Sequence, residues 1–151
     1  MDGDYLSNNS DWHVEDSPWK AVQIDKIISR NALSPNTICE VGCGAGEILK
    51  QLSLKQQYNE VHFSGYEISE DAYKLCEQRA SKRLTFYKKD LLEDEKSYDI
   101  LLCIDVFEHV ENYMGFVRGL KKKGELKVFH IPLDISVSSI IRGRLMYGRD
   151  L

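Results

Sequence analysis

The sequence predicts an α/β domain, a doubly wound parallel sheet of about five strands with helices on both faces. Three observations carry this expectation. Short apolar runs alternate along the chain with segments of helical periodicity, the pattern of strand–helix–strand crossovers. The first of these runs breaks into a glycine-rich turn, Gly42, Gly44 and Gly46, before a helix begins. A later run, Tyr98–Ile104, is apolar on both faces, as a central parallel strand must be.

Each element follows from its residues. A helix is expected over Pro18–Asn31, with Ser17 as N-cap and Pro18 at the first helical position. Strand 1 spans 37–41, and a helix over about 46–55 turns Ile48, Leu49 and Leu52 inward. Strand 2 covers 61–67. The next helix runs from about Glu70 to Lys82, with Ala72, Leu75, Cys76 and Ala80 at helical spacing. Strand 3 is 84–88 and strand 4 is Tyr98–Ile104, followed by one helix over about 107–122 and strand 5 over about 125–131. After Pro132, residues 134–147 could form a further helix with Ile135, Ile140, Ile141 and Leu145 apolar. There is no internal repeat or linker. Residues 1–35 read as an N-terminal helical lid segment and 36–151 as the main domain.

Composition excludes several classes. The 151 residues are 42% hydrophobic and 29% charged, with a net charge of −4, so nothing favours nucleic acid, whose binders carry a basic stripe. The run Lys121–Lys123 reads as a solvated helix end, where cations complement the dipole. No apolar run approaches the roughly 18–20 residues of a membrane span, and the acidic start Met1-Asp-Gly-Asp is no signal peptide. Cys39, Cys43, Cys76 and Cys103 form no Cys-x-x-Cys pair; reduced thiols in a cytoplasmic protein are expected, and no metal centre.

The chemistry concentrates at the ends of the strands. Glycines at a strand-to-helix turn let the backbone approach a ligand, and the helix start offers unpaired N–H groups and a partial positive charge. The spacing is Gly-x-Gly-x-Gly, not the Gly-x-Gly-x-x-Gly expected for a pyrophosphate. Glu40, just before Val41, adds negative charge there, which suits a ligand bearing an amine or sulfonium cation. Glu67 falls 21 residues after Gly46 at the tip of strand 2, where a carboxylate can accept both ribose hydroxyls. Asp90, after strand 3, could take the amino group of adenine with Leu91 against the ring, or could simply cap the following turn.

Four segments together resemble the successive motifs of class I SAM-dependent methyltransferases. They are Glu40-Val-Gly-Cys-Gly-Ala-Gly46, Gly65-Tyr-Glu-Ile-Ser69, Lys89-Asp-Leu91 and Tyr98 through Val110. The Phe107-Glu-His-Val110 ending is similar to the bacterial small-molecule branch, and Trp12 through Ala21 resembles an N-terminal helix lying over the cofactor. One departure is Lys122-Lys-Gly124 in place of the usual Pro-Gly before strand 5. The resemblance implies a Rossmann-like fold and S-adenosylmethionine, which carries both an amine and a sulfonium. It implies a cofactor set of Glu40, Gly42, Cys43, Gly44, Glu67, Ile68, Asp90, Leu91, Cys103 and Asp105. In that set the Cys103 carbonyl takes the cofactor's amino group, and Asp105 borders its methionine end.

The acceptor is then a small molecule, with His109 and His130 as candidate bases beyond the strand ends; each could instead serve packing or capping. Trp19 could exclude water while Lys20 meets the cofactor carboxylate. Otherwise the helix buries Trp19 and Ile24 against the sheet and leaves Lys20 in water. The resemblance also implies a seven-stranded sheet whose last two strands are antiparallel. The chain stops before supplying them, which favours truncation and leaves strand 5 as an edge open to pairing with another chain. A SAM-binding module without activity is the alternative reading, and an NAD-dependent oxidoreductase a more distant one.

Overall fold

A computed structural model describes residues 15–132. The elements are α1 (Ser17–Arg30), β1 (Thr37–Val41), α2 (Glu47–Ser53), β2 (His62–Glu67), α3 (Glu70–Glu77), β3 (Leu84–Lys88), β4 (Tyr98–Ile104), α4 (Tyr113–Leu120) and β5 (Gly124–His130). Short 3-10 turns fill Gln56–Tyr58, Leu91–Glu93 and Phe107–His109. All five strands are parallel, in the order β3-β2-β1-β4-β5. Strand order therefore reverses between β1 and β4, and the carboxyl ends of these neighbours open a crevice where ligands bind in such sheets.

The pleat sorts the strand residues onto two faces. Ile38, Phe63, Leu84, Ile100 and Leu102 meet Ala21, Ile24 and Ile28 of α1 and Leu49 and Leu52 of α2. Cys39, Val41, Tyr66, Leu101 and Cys103 pack on the other face with Leu91 and Leu120. Burying a large aliphatic side chain contributes about 1.5–3 kcal/mol, so α1 is held to the sheet by its Ala21/Ile24/Ile28 stripe. Asp99 anchors the start of β1 by accepting from Asn36 N (2.6 Å) and Thr37 N (2.9 Å).

Several elements differ from expectation. Helix α1 begins at Ser17 itself, with Asp16 in the cap position and making no side-chain cap bond. Proline is tolerated throughout a first turn because those N–H groups have no helical partner. The helix expected to reach Lys82 stops at Glu77, because the chain must turn back at Ser81, bridged to Leu84, to bring β3 beside β2. The single helix expected over 107–122 is two pieces. Val110 is extended, and the Asn112 side chain accepts from Gly115 N at 3.1 Å, capping a new helix. Lys123 is not solvated with Lys121 and Lys122; its ammonium donates to the Asp94 carbonyl. The helix expected over 134–147, and Trp12, lie outside the described residues. Among the described residues no helix is long and apolar enough to cross a membrane.

Candidate functional site

The turn from β1 into α2 is built on backbone that only glycine adopts without strain. Gly42, Gly44 and Gly46 have φ of 63°, 53° and 76°. A Cβ on Gly42 would sit 2.5 Å from Val106 Cγ2, so the turn and the β4 tip are in close contact. Beneath this turn lies a cavity of about 330 Å³, bounded by Ser17 and Lys20 of α1, the glycine turn, Glu67 to Ser69, and Ile104 to Val106. Of the residues expected at the cofactor, the cavity lining includes Glu40, Gly42, Cys43, Gly44, Glu67, Ile68 and Asp105. Ile68 stands at its rim, 74% exposed.

Glu40 is the most unusual group. It is 2% exposed, and its Oε2 has no hydrogen-bond partner. Burial, then the nearby charges of Glu67 and Asp105, push its carboxyl well above the usual range; Lys20 opposes them. A buried oxygen left unpaired costs about 1–3 kcal/mol, so Glu40 is poised for a cationic or hydrogen-bond-donating ligand. Glu67, by contrast, is largely engaged. Its Oε2 accepts from Gly44 N (2.8 Å), and its Oε1 accepts from Ile68 N (2.9 Å) and Ser69 N (2.8 Å). A carboxylate has about four acceptor sites, so one lone pair is left for a ligand hydroxyl. The Cys43 thiol is hydrogen-bonded to Cys76; that bond and burial push it up, which removes it as a nucleophile.

Three expected residues stand apart from the cavity. Asp90 Oδ1 accepts from Leu92 N at 2.8 Å and so caps the 3-10 turn, one of the two roles its position allowed. Leu91 is fully buried in the second core cluster. Cys103 is buried too, its thiol pushed up to about 12 by burial and by the charges of Glu40, Glu108 and Asp105; the lining begins one residue later, at Ile104.

The amphipathic alternative for α1 is corrected on both side chains. Trp19 is 59% exposed rather than packed on the sheet, while Lys20 is 7% exposed rather than solvated. Lys20 Nζ donates to Asp105 Oδ2 at 2.6 Å. Asp105 adopts a left-handed φ of 56°, a strained position for a non-glycine residue, and its other oxygen meets His130 Nδ1 at 2.5 Å. Burial pulls Asp105 upward, but the hydrogen bonds from Lys20 and His130 outweigh it and hold the carboxyl below its usual range. His109 lines the cavity rim, whereas His130 faces a second cavity.

Reading the sequence missed Ser17, Ile48 and Val106 as lining residues. Ser17 was within reach: it lies seven residues before Ile24 on the buried stripe of α1. The helix N-terminus is also less open to an anion than expected. Glu47 occupies the first turn of α2 and is paired with Arg79 Nε at 2.8 Å. That arrangement disfavours a pyrophosphate, so the NAD reading loses its main support.

Comparison with known proteins bears on this geometry. A family model described as a methyltransferase domain matches residues 19–136. The ubiquinone biosynthesis O-methyltransferase of Rickettsia bellii (strain OSU 85-389) is 32% identical over 103 residues, covering 66% of this chain and 42% of that protein. Its namesake in Rickettsia typhi (strain ATCC VR-144 / Wilmington) is 29% identical over 128 residues, 80% of this chain and 49% of that one. The chain thus spans less than half the length of these relatives. Among solved structures, the plantazolicin methyltransferase BpumL in complex with SAH superposes with a TM-score of 0.71 at 21% identity, covering 96% of this chain and 58% of that one. Magnesium protoporphyrin IX methyltransferase from Synechocystis PCC 6803 with bound SAH gives 0.68 at 18% identity, covering 89% and 64%. At such identities the structures establish a shared fold.

Proposed function

Because the chain belongs to the SAM-dependent methyltransferase family, we propose that it binds S-adenosylmethionine at the β1/β4 switch point and methylates a small-molecule acceptor by in-line displacement. The observation that carries this reading is Glu40: a buried carboxyl with an unpartnered oxygen, set in a glycine cradle and aimed at a cavity. The cofactor supplies an activated methyl and a good leaving group, so the protein's task is to hold and orient. Glu40 Oε2 pairs with the cofactor's cationic end. The remaining lone pair of Glu67 accepts a ribose hydroxyl while its other bonds fix the turn. Gly42 and Gly44 leave room for the ligand, and Ile68 covers it from the rim. Lys20 and Asp105 border the methionine end, and the first turn of α1 serves as the lid. Relatives named O-methyltransferases favour an oxygen acceptor. Four free, buried cysteines fit a reducing, cytoplasmic setting.

Calorimetric titration with S-adenosylhomocysteine and NAD, side by side, tests this. Micromolar binding of the first and none of the second is expected, with Glu40→Gln weakening the first at least about ten-fold, as losing a charged hydrogen-bond partner does. Binding of NAD alone, or of neither ligand to the folded chain, overturns the proposal.

A further inference from the structure

Four acids and one lysine border the cavity beneath the glycine turn: Glu40 of β1, Glu47 of α2, Glu67 of β2, Asp105 just past β4, and Lys20 of α1. Three of the acids are already compensated. Glu47 is paired with Arg79, Glu67 accepts from three backbone N–H groups, and Asp105 takes both the Lys20 ammonium at 2.6 Å and His130 at 2.5 Å. Glu40 is the exception, deeply buried at the cavity wall with no partner for Oε2. An ionised carboxylate there is buried without a counter-charge of its own, so the neutral acid is favoured until a cation arrives. The remaining titratable groups nearby supply no such cation. Cys43 of the turn, Cys76 of α3 and Cys103 of β4 are thiols, and His109 stands at the cavity rim. Burial and the charges of Glu67 and Asp105 accordingly hold the Glu40 carboxyl well above its ordinary value of 4.5, with Lys20 pulling the other way.

Resting on the methyltransferase reading, we propose that Glu40 exchanges a proton for the cofactor: its carboxyl is neutral while the cavity is empty and ionises as the cofactor's ammonium docks on Oε2. The carboxyl O–H bond breaks, its electron pair stays on the carboxylate, and the proton passes to solvent. The incoming ammonium keeps its own protons, being charged below about pH 7.7, and takes over as the counter-charge. Cofactor loading is therefore sensitive to pH. An ammonium beside Glu40 lowers its pKa in the complex below that in the free protein. Between those two values each bound ligand expels up to one proton, and affinity rises with pH by up to about ten-fold per unit. Above the free-protein value the proton has already gone and affinity levels off. Acidification thus empties the site. Asp105 and Lys20 set where the change occurs, because their ion pair keeps the ammonium of Lys20 engaged elsewhere. Removing the Asp105 charge takes away a like charge and releases Lys20, and both changes favour an ionised Glu40 in the empty cavity.

The test uses the full chain with S-adenosylhomocysteine as probe, titrated calorimetrically in buffers of different ionisation enthalpy, which counts the protons exchanged on binding. At about pH 6 the wild-type chain should release more than about half a proton per ligand, and the release should decline as pH rises. Infrared difference spectra of the same wild-type sample should lose the carbonyl stretch of a neutral carboxyl when ligand is added. Glu40→Gln should release no proton, and the wild-type affinity should fall towards that of the variant as the solution is acidified. Asp105→Asn occupies a left-handed position that asparagine tolerates, and it should lower the pH at which affinity levels off. Ligand bound at about pH 6 with no proton released and no carboxyl band lost overturns the proposal. So does release that persists in Glu40→Gln, which would place the proton on His109 or His130, or a levelling-off that Asp105→Asn leaves in place or raises. A folded wild-type chain that binds no S-adenosylhomocysteine at any pH would instead overturn the methyltransferase reading itself.

Discussion

Glu40 and Asp105 are carboxyl groups in one cavity whose environments drive them apart. Burial and two like charges raise Glu40 above its ordinary value near 4.5, while Lys20 and His130 hold Asp105 below 3.8. The signs of their contributions to stability are opposite. Native Glu40 retains a proton that the unfolded chain gives up, so stability falls as pH rises from about 4.5 through its folded pKa. Native Asp105 sheds its proton early; its contribution is present above 3.8 and is lost as pH falls through its folded pKa. Glu40→Gln should therefore raise the melting temperature of the ligand-free chain by an increment that grows as pH rises above about 4.5, while weakening the cofactor. Melting curves across that range check it; parallel curves for the two proteins would mean that Glu40 is not held protonated. The direction of the Glu40 shift was not readable in the sequence, which places an acid at a strand end but says nothing of its burial beside Glu67.

At the scale of elements, the turn between β1 and α2 divides its work between two glycines. A Cβ on Gly42 meets a Val106 methyl that borders the cavity, so its effect falls on the ligand space. A Cβ on Gly46 meets the Phe86 ring at 2.6 Å and Cys76 Cβ at 2.9 Å, both in the core, at a φ of 76°. Left-handed backbone costs about 1–2 kcal/mol for an L residue and overpacking about 1–3 kcal/mol. Gly46→Ala should thus destabilise by roughly 2–5 kcal/mol, read as a lower denaturant midpoint at unchanged slope. The same turn shows what was legible. Five strands and their parallel direction follow from short apolar runs with helical crossovers; their order, β3-β2-β1-β4-β5, comes from the structure. The break at Val110–Asn112 was hidden, because periodicity over 107–122 does not register a side chain recapturing the backbone at Gly115. The reversal of Trp19 and Lys20 has another cause. The stripe Ser17, Lys20, Ala21, Ile24, Ile28 is regular, but hydrophobicity alone assigns the indole to the core and the ammonium to water. Lys20 is buried because Asp105, 85 residues away, is there to receive it.

For the whole molecule, that ion pair is a polar link between the N-terminal helix and the strand tips. Helix α1 packs on α2 through apolar residues, and Lys20 reaches across the crevice to Asp105 at the tip of β4. Breaking a fully buried pair costs about 3–5 kcal/mol; since Asp105 keeps His130, Lys20→Met should cost less, about 2 kcal/mol. The larger effect should appear in how ligand binding spreads. Residues from α1, β1, α2, β2 and β4 line the cofactor cavity, so a ligand there ties five elements together. At a hundred-fold excess over its Kd, S-adenosylhomocysteine should add about 2.7 kcal/mol, on the order of 5–10 °C in melting temperature. Hydrogen exchange separates a lid from a passive neighbour. If α1 closes the site, its amides should gain protection on binding together with those of the glycine turn, and Lys20→Met should abolish the gain in α1 while sparing the turn. Protection confined to the turn in the wild-type chain would show that α1 stands beside the cofactor without covering it.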